Sequence, residues 1–224
     1  MSDTRFSEDP APEPGTRGDD GDRDDRDDGG GARARLLAAV VAHAERHGLG
    51  GSSLRELAAA VGTSHRMLIY HFGSKEGLVV AVIQAVEAAQ REALARLTTD
   101  PGLSELEAMR AMWRRLADPS LWPQERLFFE MYGQALQGRP GTGPLLEGVV
   151  DEWVDAGARG PIARGVPEPV ARADARLGVA VVRGLLLDLL ATGERAAVDA
   201  AMERYLAQYA ALDAQRAPAR SASD

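Results

Sequence analysis

The sequence has no cysteine, a single lysine, and aromatic side chains at only 5% of its 224 positions. Without a thiol there is no disulfide, thiolate metal site, iron–sulfur cluster or cysteine nucleophile. No apolar run reaches the roughly 18 residues that a membrane-crossing helix needs. The greasiest stretch, Leu177 to Leu190, is broken by Arg183 and Asp188. The first residues are acidic and carry no apolar signal core, so a cytoplasmic location with no membrane partner is expected. Two-residue apolar alternation is also missing, which argues against strands. No nucleophile–base pair, phosphate-cradling glycine loop or metal cluster stands out, so neither an enzyme nor a cofactor is expected.

What is present is a chain that is 45% apolar and 27% charged, sufficient for a packed core of one or two domains. Its net charge of −8 is unevenly spread. Residues 1–31 hold eleven acids and four bases, a net of −7, and almost no large apolar side chains. Such a segment buries too little surface to offset its ordering entropy, so a disordered acidic tail is expected there. Its aspartates, Asp19 to Asp28, fit no calcium-loop register. Over 32–78 six bases (Arg33, Arg35, Arg46, Arg55, Arg66, Lys75) face three acids (Glu45, Glu56, Glu76), a net of +3. The overall sign therefore comes from the tail.

From Ala32 onward the spacing predicts about nine helices in an all-α fold. The first runs from Ala32 to His47, with Leu36, Leu37, Val40, Val41 and Ala44 on one face. Ser53 opens the second with a Ser-x-x-Glu box to Glu56, Ser64 the third, and Ser74 a fourth that reaches about Arg96. Ser104 with Glu107 caps the fifth. Asp118-Pro119 and Pro123 start the sixth, and Pro144 the seventh, to about Ala158. A Gly/Pro-rich loop is expected over Gly157 to Pro169, then helices over 169–192 and 195–214, with Ala217 to Asp224 a frayed end. His43 and His47 stand four apart, but Glu45 lies between them where a zinc-protease motif needs Glu directly after the first His, and no third ligand is evident. No metal is expected.

Residues 53–72 carry the informative pattern. Leu54, Leu57 and Val61 form a stripe, Ala58 is small where a second helix must cross, Gly62 eases a turn, and Leu68 and Phe72 anchor the second helix. This is a helix-turn-helix, whose second helix can enter a major groove of double-stranded DNA. Gly62-Thr63-Ser64 through Tyr70-His71-Phe72, with Gly73-Ser74-Lys75-Glu76-Gly77-Leu78 behind it, resembles the N-terminal domain of TetR-family transcriptional regulators. The resemblance covers residues 33–80 by motif and the remainder by helix count and length.

The resemblance implies roles residue by residue. Thr63, Ser64, His65 and Arg66 begin the recognition helix and face bases and nearby phosphates, with Arg66 suited to guanine or phosphate. Tyr70 and His71 approach the backbone, Lys75 clamps a phosphate, and Ser52, Ser53 and Arg55 meet the flanking strand. Many family members have a Tyr-Tyr pair where this chain has Ile69 before Tyr70, which removes one phosphate-contacting hydroxyl. Plainer readings stand beside these: Ser53 and Ser64 as helix caps, Phe72 as core, and His71 packed against the fourth helix.

The resemblance divides the chain into a tail (1–31), a DNA-binding domain (32–80), a ligand-binding and dimerisation domain (81–216) and a frayed end (217–224). Met109, Met112, Trp113, Phe128, Phe129, Tyr132 and Trp153 suit an apolar cavity or ordinary core, and the resemblance favours the cavity. The helix over 169–192 is apolar around most of its girth, so it is either central or at an interface. Arg183 and Asp188 read as rim or interface charges. The resemblance implies a homodimer through the last two helices, a near-palindromic operator, and repression relieved by a small-molecule effector. The alternative is a DNA-binding regulator with no small ligand, which a closed C-terminal core would favour.

Overall fold

The computed structural model describes residues 24–49 and 51–220. Among these there are nine α-helices, two short 3₁₀ turns and no strand. They are α1 (Asp24–His47), α2 (Leu54–Ala60), α3 (His65–Phe72), α4 (Lys75–Thr99), α5 (Glu105–Leu116), α6 (Trp122–Leu136), α7 (Asp151–Ala163), α8 (Glu168–Thr192) and α9 (Arg195–Arg220). The all-α expectation holds. The tail expected over 1–31 lies outside the described residues up to position 23; from Asp24 the chain is already helical. Helix α1 starts eight residues before the expected Ala32 because the apolar stripe marks only the part of a helix that packs on something. At the other end α9 continues to Arg220, past the expected stop near 214, and residues 221–224 lie outside the described range.

Local chemistry explains the helix starts. Ser53 and Ser104 each form a capping box: the serine hydroxyl accepts the backbone N–H of Glu56 or Glu107, whose carboxylate accepts the serine's own N–H at 2.7 Å. Ser64 accepts from the Met67 N–H at 3.2 Å and Ser74 from the Gly77 N–H at 3.0 Å. The turn between α2 and α3 needs Gly62, whose φ of 70° is open to few other residues although no atom crowds its missing side chain.

One expected loop is much shorter than the sequence suggested. Of the stretch from Gly157 to Pro169, only the few residues between α7 and α8 are non-helical. Helix α7 runs through Pro161, and Gly157, read as a breaker, lets α8 come close: a methyl there would stand 3.2 Å from Cβ of Ala175. Pro144 opens a 3₁₀ turn (Gly143–Leu146), with α7 starting later at Asp151.

Two large apolar clusters organise the body, with a third, small one of Ala158, Val166 and Ala171 between α7 and α8. The first joins Val40, Leu57, Leu68 and Phe72 to α4 and to Phe128 and Met131 of α6. Here Leu78 through Ile83 are six consecutive buried residues, so this part of α4 is enclosed on every side. The second packs Met112, Trp113 and Leu116 of α5 against Leu186 and Leu189 of α8 and Val198, Met202 and Leu206 of α9. Truncating a fully buried leucine such as Leu57, Leu68 or Leu189 to alanine destabilises by about 2–5 kcal/mol. Helix α8 is central along part of its face, where Ala171, Leu186 and Leu189 are buried, whereas Leu177 and Leu187 are more than half exposed.

Candidate nucleic-acid interface and ligand cavity

Helix α3 is anchored by Leu68 and Phe72 and turns the rest of its surface outward. Ser64, His65 and Arg66 are exposed, Thr63 is half-buried, and Tyr70, at 76%, is the most open of the large hydrophobic side chains here. Met67 and Ile69, 39% and 37% exposed, give this face an apolar component that the motif alone did not single out. Ser53 and Arg55 are exposed and Ser52 half-buried at the start of α2. The hydroxyls of Ser53 and Ser64 are engaged as caps, and only spare lone pairs remain for another partner. His71 is half-buried, edge-on to Tyr70 with ring centroids 4.9 Å apart, and its Nε2 is enclosed.

Lys75 opens α4 immediately after the Ser74 cap. Its charge helps hold the Glu56 and Glu76 carboxyls below their ordinary values. The larger causes are, for Glu56, the hydrogen bond from the Ser53 N–H, and for Glu76 the bond from its own backbone N–H. A close approach fixes this corner: a methyl on Gly77 would lie 2.2 Å from the carbonyl oxygen of Phe72, so the first turn of α4 can pack on the end of α3 only with glycine there. Glu76 then accepts from Arg139 Nη2 at 3.2 Å, and Gln84 Nε2 donates to the Pro144 carbonyl at 2.9 Å, tying α4 to the segment after α6.

Farther along α4, a cavity of about 170 Å³ opens between α4 and α5–α9. Met109, Met112, Trp113, Phe128, Phe129 and Trp153 are among its lining residues. Tyr132 stands behind the wall, stacked on Phe128 with centroids 5.5 Å apart. Several lining groups escaped sequence reasoning, notably Glu87, Glu125, Tyr205 and Tyr209. Arg183 is corrected from a rim or interface charge to a cavity residue. Its Nη2 donates to the Val149 carbonyl at 2.6 Å and lies 3.8 Å from Glu87, with the guanidinium over the Phe128 ring at 5.2 Å. Those partners come from distant segments of the chain, which the local sequence could not reveal. Asp188 is exposed, in keeping with its surface reading.

The carboxylates of the cavity differ in their pairing. Glu87 accepts the Trp153 indole N–H at 2.6 Å, yet burial still raises its pKa. Glu105 takes Arg164 at 2.5 Å and the Tyr209 hydroxyl at 3.1 Å, and Asp174 pairs with Arg216. Glu125, only 9% exposed, has no hydrogen bond or ion pair among the described residues. Burial first, then repulsion from Glu87, pushes its pKa up to about 7. No group of three or more His, Cys, Asp or Glu residues suited to a metal occurs among the described residues.

Comparison with known proteins gives this arrangement its context. Residues 36–82 match the family model described as bacterial regulatory proteins, tetR family. The chain is 28% identical over 153 residues to the HTH-type transcriptional regulatory protein RaaS of Mycobacterium tuberculosis, an alignment spanning 63% of this chain and 64% of that one. Its fold is that of a TetR transcriptional regulator from Legionella pneumophila, with a TM-score of 0.59 at 20% identity, covering 78% of this chain and 95% of the other. Thermus thermophilus FadR, a TetR-family repressor solved with lauroyl-CoA, superposes with a TM-score of 0.53 at 19% identity over 71% of this chain and 84% of its own. Residues 36–82 are thus a helix-turn-helix domain of the tetR family of bacterial regulatory proteins, carried on a chain whose fold is that of solved TetR-type regulators.

Proposed function

We propose that the protein is a cytoplasmic, homodimeric repressor that binds a near-palindromic operator through α3 and leaves it when a small molecule enters the cavity. In this reading residues 32–80 are the DNA-binding domain and 81–216 the ligand-binding and dimerisation domain. The observation that carries it is the path of α4. One helix of 25 residues begins at Lys75, beside the exposed face of α3, and reaches the cavity wall at Glu87, Leu94 and Thr98. At 1.5 Å per residue it spans roughly 37 Å.

Arg66 reads a base edge or a phosphate, Met67 offers an apolar contact to a thymine methyl, and Thr63, Ser64 and His65 complete the α3 face. Tyr70, His71, Lys75, Ser52, Ser53 and Arg55 hold the backbone. A second copy pairs through α8 and α9, where Leu177, Leu187 and Leu212 are about half exposed. That pairing sets two recognition helices about one DNA turn, ~34 Å, apart. An apolar cavity supports the ligand-released reading over a regulator without a ligand, and FadR's bound acyl-CoA is in keeping with it.

Coupling between the two sites must be reciprocal, typically about 1–3 kcal/mol. Operator DNA therefore weakens ligand binding by the same factor by which ligand weakens DNA binding. Equal ligand affinity with and without operator contradicts the proposal.

A further inference from the structure

The carboxylates of the cavity wall do not all have a partner. Glu105 has Arg164 and Tyr209, Asp174 has Arg216, and Glu87 has the Trp153 indole with Arg183 near it. Arg183 is engaged by the Val149 carbonyl and lies nearer Glu87, so it leaves Glu125 without a bonded cation. Glu125 is nine-tenths buried in the wall and among the described residues has no hydrogen-bond or ion-pair partner. Its carboxylate is open to the cavity rather than sealed in the core, and in so apolar a wall it gains from a ligand that offers a donor or a positive charge. The surface around it is largely apolar and aromatic, with Phe128 and Phe129 one turn farther along the same helix and Trp113 also in the wall. Aromatic faces and a lone carboxylate both attract a weakly hydrated cation.

We infer that the ligand of this cavity is a small lipophilic cation, an aromatic or alkyl body bearing a quaternary or protonated amine, with Glu125 as its counter-ion. The inference rests on the cavity being the effector site, and it specifies the chemistry of that effector. A ligand without a donor leaves Glu125 unsatisfied, and an anion meets repulsion from Glu125 and Glu87 wherever these are ionised, while Arg183 is already engaged by the Val149 carbonyl and lies near Glu87. The size is bounded as well: an engineered apolar cavity of roughly 150 Å³ accepts benzene, so one ring with a compact cationic head is the right scale.

The test titrates the full-length protein with benzyltrimethylammonium and with neopentylbenzene, its neutral isostere with carbon in place of nitrogen. Trp113 and Trp153, both in the wall, supply the fluorescence signal. The cation is expected to bind at least about tenfold more tightly than the isostere, the scale of one desolvated cation–carboxylate contact. In Glu125→Gln the preference disappears through weaker cation binding, while the isostere binds as before. Glu125→Asp, which keeps the charge, retains part of the preference. An isostere that binds the wild type as well as the cation does, or a Glu125→Gln variant that keeps the preference, overturns the cation assignment and leaves a ligand cavity standing. Binding by neither compound overturns the cavity premise itself. The comparison within the wild type decides the matter even if a variant fails to fold.

Discussion

Arg139 and Glu76 meet at 3.2 Å, joining the segment after α6 to the second residue of α4. Helix α6 carries Glu125, Phe128 and Phe129 into the cavity, and Glu76 adjoins Lys75. This contact therefore connects the cavity's wall helix with the end of α4 assigned to DNA.

Both side chains are partly exposed, and such pairs contribute about 0.2–1 kcal/mol to folding. Arg139→Ala is accordingly expected to leave the melting temperature almost unchanged and to alter ligand-free DNA affinity by less than about fivefold. The difference in DNA affinity between free and ligand-bound protein should shrink. Anisotropy titrations with and without ligand measure it; an undiminished difference excludes this contact from the coupling.

The α3 surface makes a second prediction. Arg66 and Tyr70 are exposed and touch no core, so Arg66→Ala and Tyr70→Phe should unfold like the wild type. Specific DNA binding is expected to weaken by about 1–3 kcal/mol for Arg66→Ala. Lys75→Ala should weaken binding to all sequences alike and reduce the salt slope by about one. Ser64→Ala differs because its hydroxyl caps α3, and it should destabilise by about 0.5–2 kcal/mol as well.

The dimer can be tested at Gly184. The residue is exposed on α8, and a methyl placed there meets no atom within 4 Å. Gly184→Arg should therefore preserve the helical fold of the protomer and yield a monomer in sedimentation, with specific DNA binding lost. A Gly184→Arg protein that remains dimeric places the interface elsewhere.

Glu125 gives the protein a pH signature. The unfolded chain loses this proton near 4.5 and the folded chain near 7, so between those values only the folded state holds it. The stability contributed by the proton is complete at low pH and falls as pH rises through this window, by roughly 3 kcal/mol for a gap of that size. Glu125→Gln cannot ionise, so its stability advantage should grow between about pH 5 and about pH 8. Urea unfolding at the two values reads the change; a constant difference shows that Glu125 does not titrate in this range.

The sequence was most legible where both partners of an interaction lie within one helical turn. Ser53 with Glu56 and Ser104 with Glu107 declare their capping boxes, and Gly62 declares its turn. The opposite held where the decisive neighbour is distant. Gly157 and Pro161 looked like a loop because the approach of Ala175 that makes glycine useful comes from another helix. Gly77 gave no hint that the Phe72 carbonyl needs its space. Glu125, in the first turn of α6, reads as a carboxylate suited to a helix start. Its burial arises only when α4 brings Glu87 and α8 brings Arg183 to the same cavity. Of the seven aromatic and methionine residues that suited either a core or a cavity, six line the cavity, a choice the resemblance favoured and their content left open, whereas the charges that define its chemistry gave no such signal.

The most direct test of the central claim is selection of the purified protein against random duplex DNA at near-physiological salt, with sequencing of the bound pool. The expected result is a near-palindromic motif whose two half-sites lie about one helical turn apart. An unenriched pool, bound through charge alone, would contradict it and remove the roles assigned to Arg66 and Tyr70.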